Sequence, residues 1–229
     1  MMRKTKGNES IKAENIILCE GADDKAFLTC YINHIMNEQT NKQFQVLSFD
    51  GKRALSEYMR NLHLMTGFAH VKSIIILRDA DFDNENSEKS ITNALKRAGY
   101  ATPDKLCEIA EPKDNDRPQR TAYCLFPSIL TSKSGTLEDL CLEILRNPND
   151  IRMYTVQKSI DAIQLESEKY SELRLVHHSK NKLHSYFSLT NDYVGCKIGN
   201  AAERKAFDFE SPKLEPLRNL LFNMLKNCE

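Results

Sequence analysis

The sequence predicts an α/β protein, a parallel sheet flanked by helices with a helical C-terminal extension, and three observations carry that expectation. Short apolar runs alternate three times with segments of amphipathic helical spacing. Each of those runs closes on an acid or an Asp-Gly pair. The last third keeps helical spacing and loses the alternation. Strand, helix, strand in succession calls for parallel strands joined by right-handed crossovers.

The elements follow in order. Asn15 to Glu20 (NIILCE) reads as a buried strand ending at Gly21, and Asp23 or Asp24 opens a helix whose apolar positions include Phe27, Tyr31 and Ile35. Phe44 to Phe49 alternates as a strand and breaks at Asp50-Gly51; Leu55, Tyr58, Met59 and Leu62 then line a second helix. Ser73 to Leu77 (SIIIL) is the most apolar run, followed by Asp79-Ala80-Asp81 and a helix over Ser87 to Ala98. Strands are expected at Leu106 to Ala110 and Thr121 to Phe126, around a charged insertion (EPKDNDRPQR). Thr136 caps a further helix with Asp139 in the capping-box position. Helical segments are expected over Met153 to Lys169, Asn181 to Leu189 and Leu214 to Leu225. The organisation expected is a basic polar segment over residues 1–13, an α/β domain over 14–147 and a helical extension over 148–229 packed on it.

Composition narrows the function. The chain of 229 residues is 41% hydrophobic, enough for a proper core, and no apolar run approaches the roughly 18 residues of a membrane helix. No apolar stretch follows the basic start, so the expectation is a soluble cytoplasmic protein. Seven cysteines without a CxxC pair read as reduced, buried thiols, and no HExxH helix suggests zinc. Thirty-two basic residues cancel 32 acidic ones, so a nucleic acid would be met through a local patch or through metal ions.

The strands of an open parallel sheet end at one edge, where ligands bind. Glu20, Asp50 and Asp79 with Asp81 therefore converge. Carboxylates gathered this way repel one another, and a divalent cation is the usual resolution; all-oxygen donors point to Mg²⁺ or Mn²⁺. The plainer readings stand beside this. An aspartate in a loop bonds its own backbone, Asp23 or Asp24 serves as a helix cap, and Glu138 in a helix first turn simply favours the macrodipole.

The residues IILCEGADD, FDG and IIILRDADFD together resemble the Toprim domain, whose signature is Glu-Gly after the first strand, Gly after the second and DxD after the third. Here these fall on Glu20-Gly21, Gly51, and Asp79 with Asp81. The resemblance covers about residues 14 to 147 and is closest to small standalone Toprim proteins related to OLD-type nucleases. It implies a metal-dependent nuclease acting on DNA or RNA, with Glu20, Asp24, Asp79, Asp81 and Glu138 holding one or two Mg²⁺ or Mn²⁺ ions. Glu20 is either a ligand or a general acid or base. Asp24 matches an acid four residues past the glutamate, and Glu138 a Gly-x-Leu-Glu-Asp segment at Gly135–Asp139. SKNKLHSYFSL is similar to a lysine-bearing helix start in those proteins, which makes Lys180 or Lys182 a candidate catalytic cation beside Arg78. Lys52, Arg53, Arg117 and Arg120 are candidate phosphate contacts.

The departures bound the reading. There is no GxxxxGK[ST], so any ATPase is a separate partner subunit; no second domain presents a topoisomerase tyrosine; no zinc module marks a primase. Two other classes stay open: a non-catalytic subunit that binds nucleic acid or an ATPase, and a phosphoacceptor domain, whose acids sit differently along the strands.

Overall fold

The computed structural model describes residues 10–51, 54–112, 117–127, 134–173 and 175–226. Its centre is a four-stranded parallel sheet: β1 (Asn15–Cys19), β2 (Phe44–Ser48), β3 (Ser73–Asp79) and β4 (Arg120–Phe126), in the order β2-β1-β3-β4. The strands start level, Asn15 opposite Phe44 and Ser73, and Ser73 opposite Arg120. Their ends therefore line one edge. All residues of β1 and β4 are buried, as expected of parallel strands covered on both faces.

The order reverses at β1. From β1 the chain crosses to β2 through α1 (Ala22–Ile35), then a single helical turn, α2 (Glu38–Asn41). It returns past β1 to β3 through α3 (Leu55–Asn61), and continues to β4 by way of α4 (Asn84–Arg97). Right-handed crossovers running in opposite directions must use opposite faces. The core divides accordingly: Ile17, Ile75, Leu77, Cys124 and Phe126 pack with α1, while Ile16, Leu18, Ile74, Ile76 and Leu125 pack with α3 and α4. The switch point falls between β1 and β3, the strands that end beside Glu20 and Asp79.

The C-terminal elements are α5 (Leu137–Glu143), α6 (Ile151–Glu166), α7 (His178–Leu189), α8 (Ile198–Glu203) and α9 (Glu215–Lys226). They share the α1-side core, contributing Leu140, Val156, Leu183, Phe187, Ala201, Leu217 and Leu221. Phe27 of α1 meets Phe126, Phe207 and Phe209 edge-on at 5.4–6.5 Å, and burial of a ring this size contributes about 2–3 kcal/mol. At Gly199 of α8 a Cβ would lie 2.3 Å from the Ala26 Cβ, so glycine is what lets the two helices touch. Residues 148–226 therefore complete the fold, adding their apolar side chains to the core that α1 and α5 form on this face of the sheet.

One expected strand does not form. Leu106–Ala110 makes an isolated antiparallel bridge, Ala110 to Thr121, and Cys107 adopts a left-handed φ of 59° that ends any extended run. Among the described residues, no helix is long and apolar enough to cross a membrane.

Candidate functional site

Three connections gather the strand ends. Gly51 N–H donates to the Glu20 carbonyl at 3.1 Å and Ser48 Oγ to the same oxygen at 3.3 Å, tying the end of β2 to that of β1. Asp50 and Gly51 turn through φ of 54° and 115°, which explains a glycine at the second position. On the other side, Ala80 N–H donates to the Phe126 carbonyl at 3.0 Å. Asp81, at φ 56°, then exchanges two backbone hydrogen bonds with Gly135, at 2.8 and 2.7 Å. Gly135 has φ 141°, and a Cβ there would meet Asp139 Oδ2 at 2.8 Å and Pro127 Cδ at 2.9 Å.

That pairing delivers α5 to the acids. Thr136 caps it in a box with Asp139, whose Oδ2 accepts from Thr136 N at 2.8 Å and from Thr136 Oγ1 at 3.1 Å. Leu137 N–H, one of the helix's unsatisfied donors, reaches Asp79 Oδ1 at 2.8 Å. Asp139 Oδ1 accepts from Ser179 Oγ, clamping the start of α7 onto the start of α5. Asp24 occupies the third position of α1 and accepts from Gly21 N at 2.7 Å, so its capping role and its place among the acids coincide.

Burial and neighbouring charge act on these carboxylates together. Burial pushes the Asp79 carboxyl up to about 8; the charge of Asp24 adds to it, as do Glu138 and Asp81, while Leu137 N–H opposes. Burial likewise carries Asp24 up to about 6, with Gly21 N–H opposing and Glu20, Glu138 and Asp23 reinforcing. Glu20, Asp24, Asp79, Asp81 and Glu138 thus form one electrostatic neighbourhood. Lys180 Nζ lies 3.9 Å from Glu138 Oε1 with its side chain 59% exposed. Arg78 is buried on the opposite face, donates to Ser90 Oγ at 3.2 Å and stands 4.0 Å from Asp81 Oδ2, so it braces Asp81 from below.

Other candidates fall elsewhere. Lys182 lines a cleft of about 280 Å³ between α5, α6 and α7 with Asp139, Glu143 and Asp161. Arg117 and Arg120 are corrections: both sit at the opening end of β4, the edge opposite the acids. Arg120 is 6% exposed and donates from Nη2 to the Met224 carbonyl at 2.6 Å. Arg117 donates to the Ala98 carbonyl at 3.3 Å and lies over the Tyr100 ring. Neither is presented to a phosphate at the acidic edge. Lys52 and Arg53 lie outside the described residues.

The donor set suits a hard cation, being all carboxylate oxygens on a part-buried edge. Among the described residues, no three His, Cys, Asp or Glu side chains converge closely enough to enclose one as they stand. Mg²⁺ is compatible with that spacing, since it keeps several waters and takes one or two carboxylates together with substrate phosphates. Asp139, Ser179 and Gly135 are site-building residues that the motif reading left unassigned as such. The sequence signal for them is the Gly-Thr-x-x-Asp run, a positive-φ glycine directly before a capping box.

No curated protein and no solved structure matches the chain. The sequence model of the family described as "Protein of unknown function (DUF3226)" matches residues 14–226, so it spans sheet, acidic edge and C-terminal helices alike, and the chain belongs to that family.

Proposed function

We propose that this protein is a divalent-metal-dependent nuclease that hydrolyses phosphodiester bonds of DNA or RNA at a Toprim-type carboxylate site. One observation carries the reading: carboxylates from the ends of β1 and β3 and from the starts of α1 and α5 gather at the topological switch point in part burial, which together with their mutual repulsion raises the proton affinity of Asp79 and Asp24. A fold has no packing reason to hold like charges together in partial burial, and a cation that binds them relieves the repulsion.

Asp79 and Asp24 each fix one oxygen on a backbone N–H, which orients the carboxylate and leaves the other oxygen for a ligand. Asp81 and Glu138 flank Asp79, and Glu20 serves as a further ligand or as the group that exchanges a proton with water or the leaving oxygen. Mg²⁺ or Mn²⁺ at this edge supplies neutralising charge and an acidified water. Lys180, exposed beside Glu138, is placed to meet negative charge developing on the phosphoryl group. With its acids ionised the edge repels a polyanion, so nucleic-acid binding follows metal loading.

The test is cleavage of single- and double-stranded DNA and RNA with Mg²⁺, Mn²⁺ or EDTA, comparing wild type with Asp79→Ala. Metal-dependent cutting in wild type and none in the variant is expected. Inert wild-type protein whose calorimetric Mn²⁺ binding still needs Asp79 would replace the lone nuclease with a subunit that works with a partner such as an ATPase. Absence of Mn²⁺ binding would overturn the site.

A further inference from the structure

The segment around Cys107 runs along the outer edge of β4, the strand that closes one side of the sheet. Cys107 N–H donates to the Tyr123 carbonyl at 2.9 Å, and Ala110 and Thr121 exchange backbone hydrogen bonds at 2.8 and 3.1 Å. An open strand edge is a hazard for pairing with other chains, and this segment covers it with few bonds. Cys107 is held in a left-handed conformation uncommon for a residue with a side chain, φ 59°, and its Sγ lies 2.9 Å from the Sγ of Cys124 on β4. Cys124 is buried, whereas Cys107 is partly exposed. The arrangement pairs one reachable thiol with one sheltered thiol already in contact.

We propose that Cys107 and Cys124 are a reversible cross-linking site, oxidised to a disulfide by exchange with a small-molecule disulfide and thereby stapling the covering segment to the sheet edge. Cys107, as its thiolate, attacks one sulfur of the oxidant; that S–S bond breaks and a first small thiol leaves, taking up a proton. Cys124 then loses its proton and attacks the Cys107 sulfur, the mixed disulfide breaks, and a second small thiol leaves. Two protein thiols lose two hydrogens and one oxidant disulfide becomes two thiols, so the exchange balances. The inference is independent of the proposed nuclease activity.

The full chain is incubated in glutathione buffers from reducing to oxidising, and its thiols are counted under denaturing conditions. The expected result is a fall from seven to five, reversed by dithiothreitol. A link between the tryptic peptides Leu106–Lys113 and Thr121–Lys133, each holding one cysteine, locates the bond. Cys107→Ser, at the partly exposed position, should keep its remaining six thiols under the buffer that closes the pair, and its thermal midpoint should not rise on oxidation as the wild type's does. Stable glutathionylation of Cys107, an unchanged thiol count, or a link through any other cysteine would overturn the proposal.

Discussion

The two edges of this sheet share their strands and differ in how their polar groups are matched. At the opening edge Ser73 Oγ donates to Asn15 Oδ1 at 2.6 Å, Thr121 Oγ1 to the Ala101 carbonyl at 2.7 Å, and Arg120 to the Met224 carbonyl at 2.6 Å. Donors meet acceptors there, Gln119 Oε1 excepted, and the Arg120 bond ties α9 to β4. At the closing edge, burial first and the neighbouring charge of Asp24 second raise the Asp79 carboxyl, which holds its proton to about pH 8. The first edge serves stability and the second sacrifices some of it, which is how a binding site differs from a structural polar network.

Asp79→Ala should break that contrast most strongly, lowering metal-dependent cleavage by about 1000-fold or more, equivalent to about 4 kcal/mol, in a nuclease assay. At the other edge, Arg120→Ala should cost about 2–3 kcal/mol in urea unfolding, because the Met224 carbonyl loses a charged donor in a buried setting. Its cleavage per folded molecule should be unchanged; a selective loss of activity would return Arg120 to the phosphate-binding role that its position argues against.

The pH dependence sharpens the comparison. The carboxyls of Asp79 and Asp24 ionise at about 8 and about 6 in the folded chain, above the ordinary carboxylate range. Between roughly pH 4 and 8 the folded state therefore binds more protons than the unfolded state, and metal-free stability falls as pH rises through that window. Asp79→Asn keeps an acceptor for Leu137 N–H and removes the charge. It should stabilise the metal-free protein at pH 8 by on the order of 2 kcal/mol and flatten the slope. Mn²⁺ should raise the thermal midpoint of wild type at pH 8 and leave this variant nearly unmoved; calorimetric scans across pH and metal check both.

Lys180→Met is the smallest change. It should reduce cleavage by about 10-fold through kcat and alter stability by less than about 0.5 kcal/mol, since the pair with Glu138 is long and solvated. A stability loss well beyond that would make Lys180 a structural partner of Glu138.

Much of this was legible in the chain. The SIIIL and NIILC runs suit buried strands, and their closing acids share an edge once the strands are parallel. The same logic, carried through, also places Arg117 and Arg120 at the wrong edge, since residues that open a strand lie opposite those that end one. Leu106–Ala110 does not extend as a strand because of the left-handed turn at Cys107, which is set by hydrogen bonds to β4 that the five residues themselves do not state.

The sequence by itself determined the strands, their parallel order of appearance, the acids at their ends and the capping box at Thr136. Periodicity and local hydrogen bonding act over a few residues and are written there. Only the tertiary structure decided that Gly135 pairs with Asp81, that Leu137 N–H fixes Asp79, that Ser179 anchors α7 on Asp139, and that Lys180 rather than Lys182 stands beside Glu138. Those contacts join residues 40 or more positions apart. They form as the C-terminal helices join α1 in one core on that face of the sheet, and the hydrophobic effect that drives this packing specifies area buried rather than sequence partners.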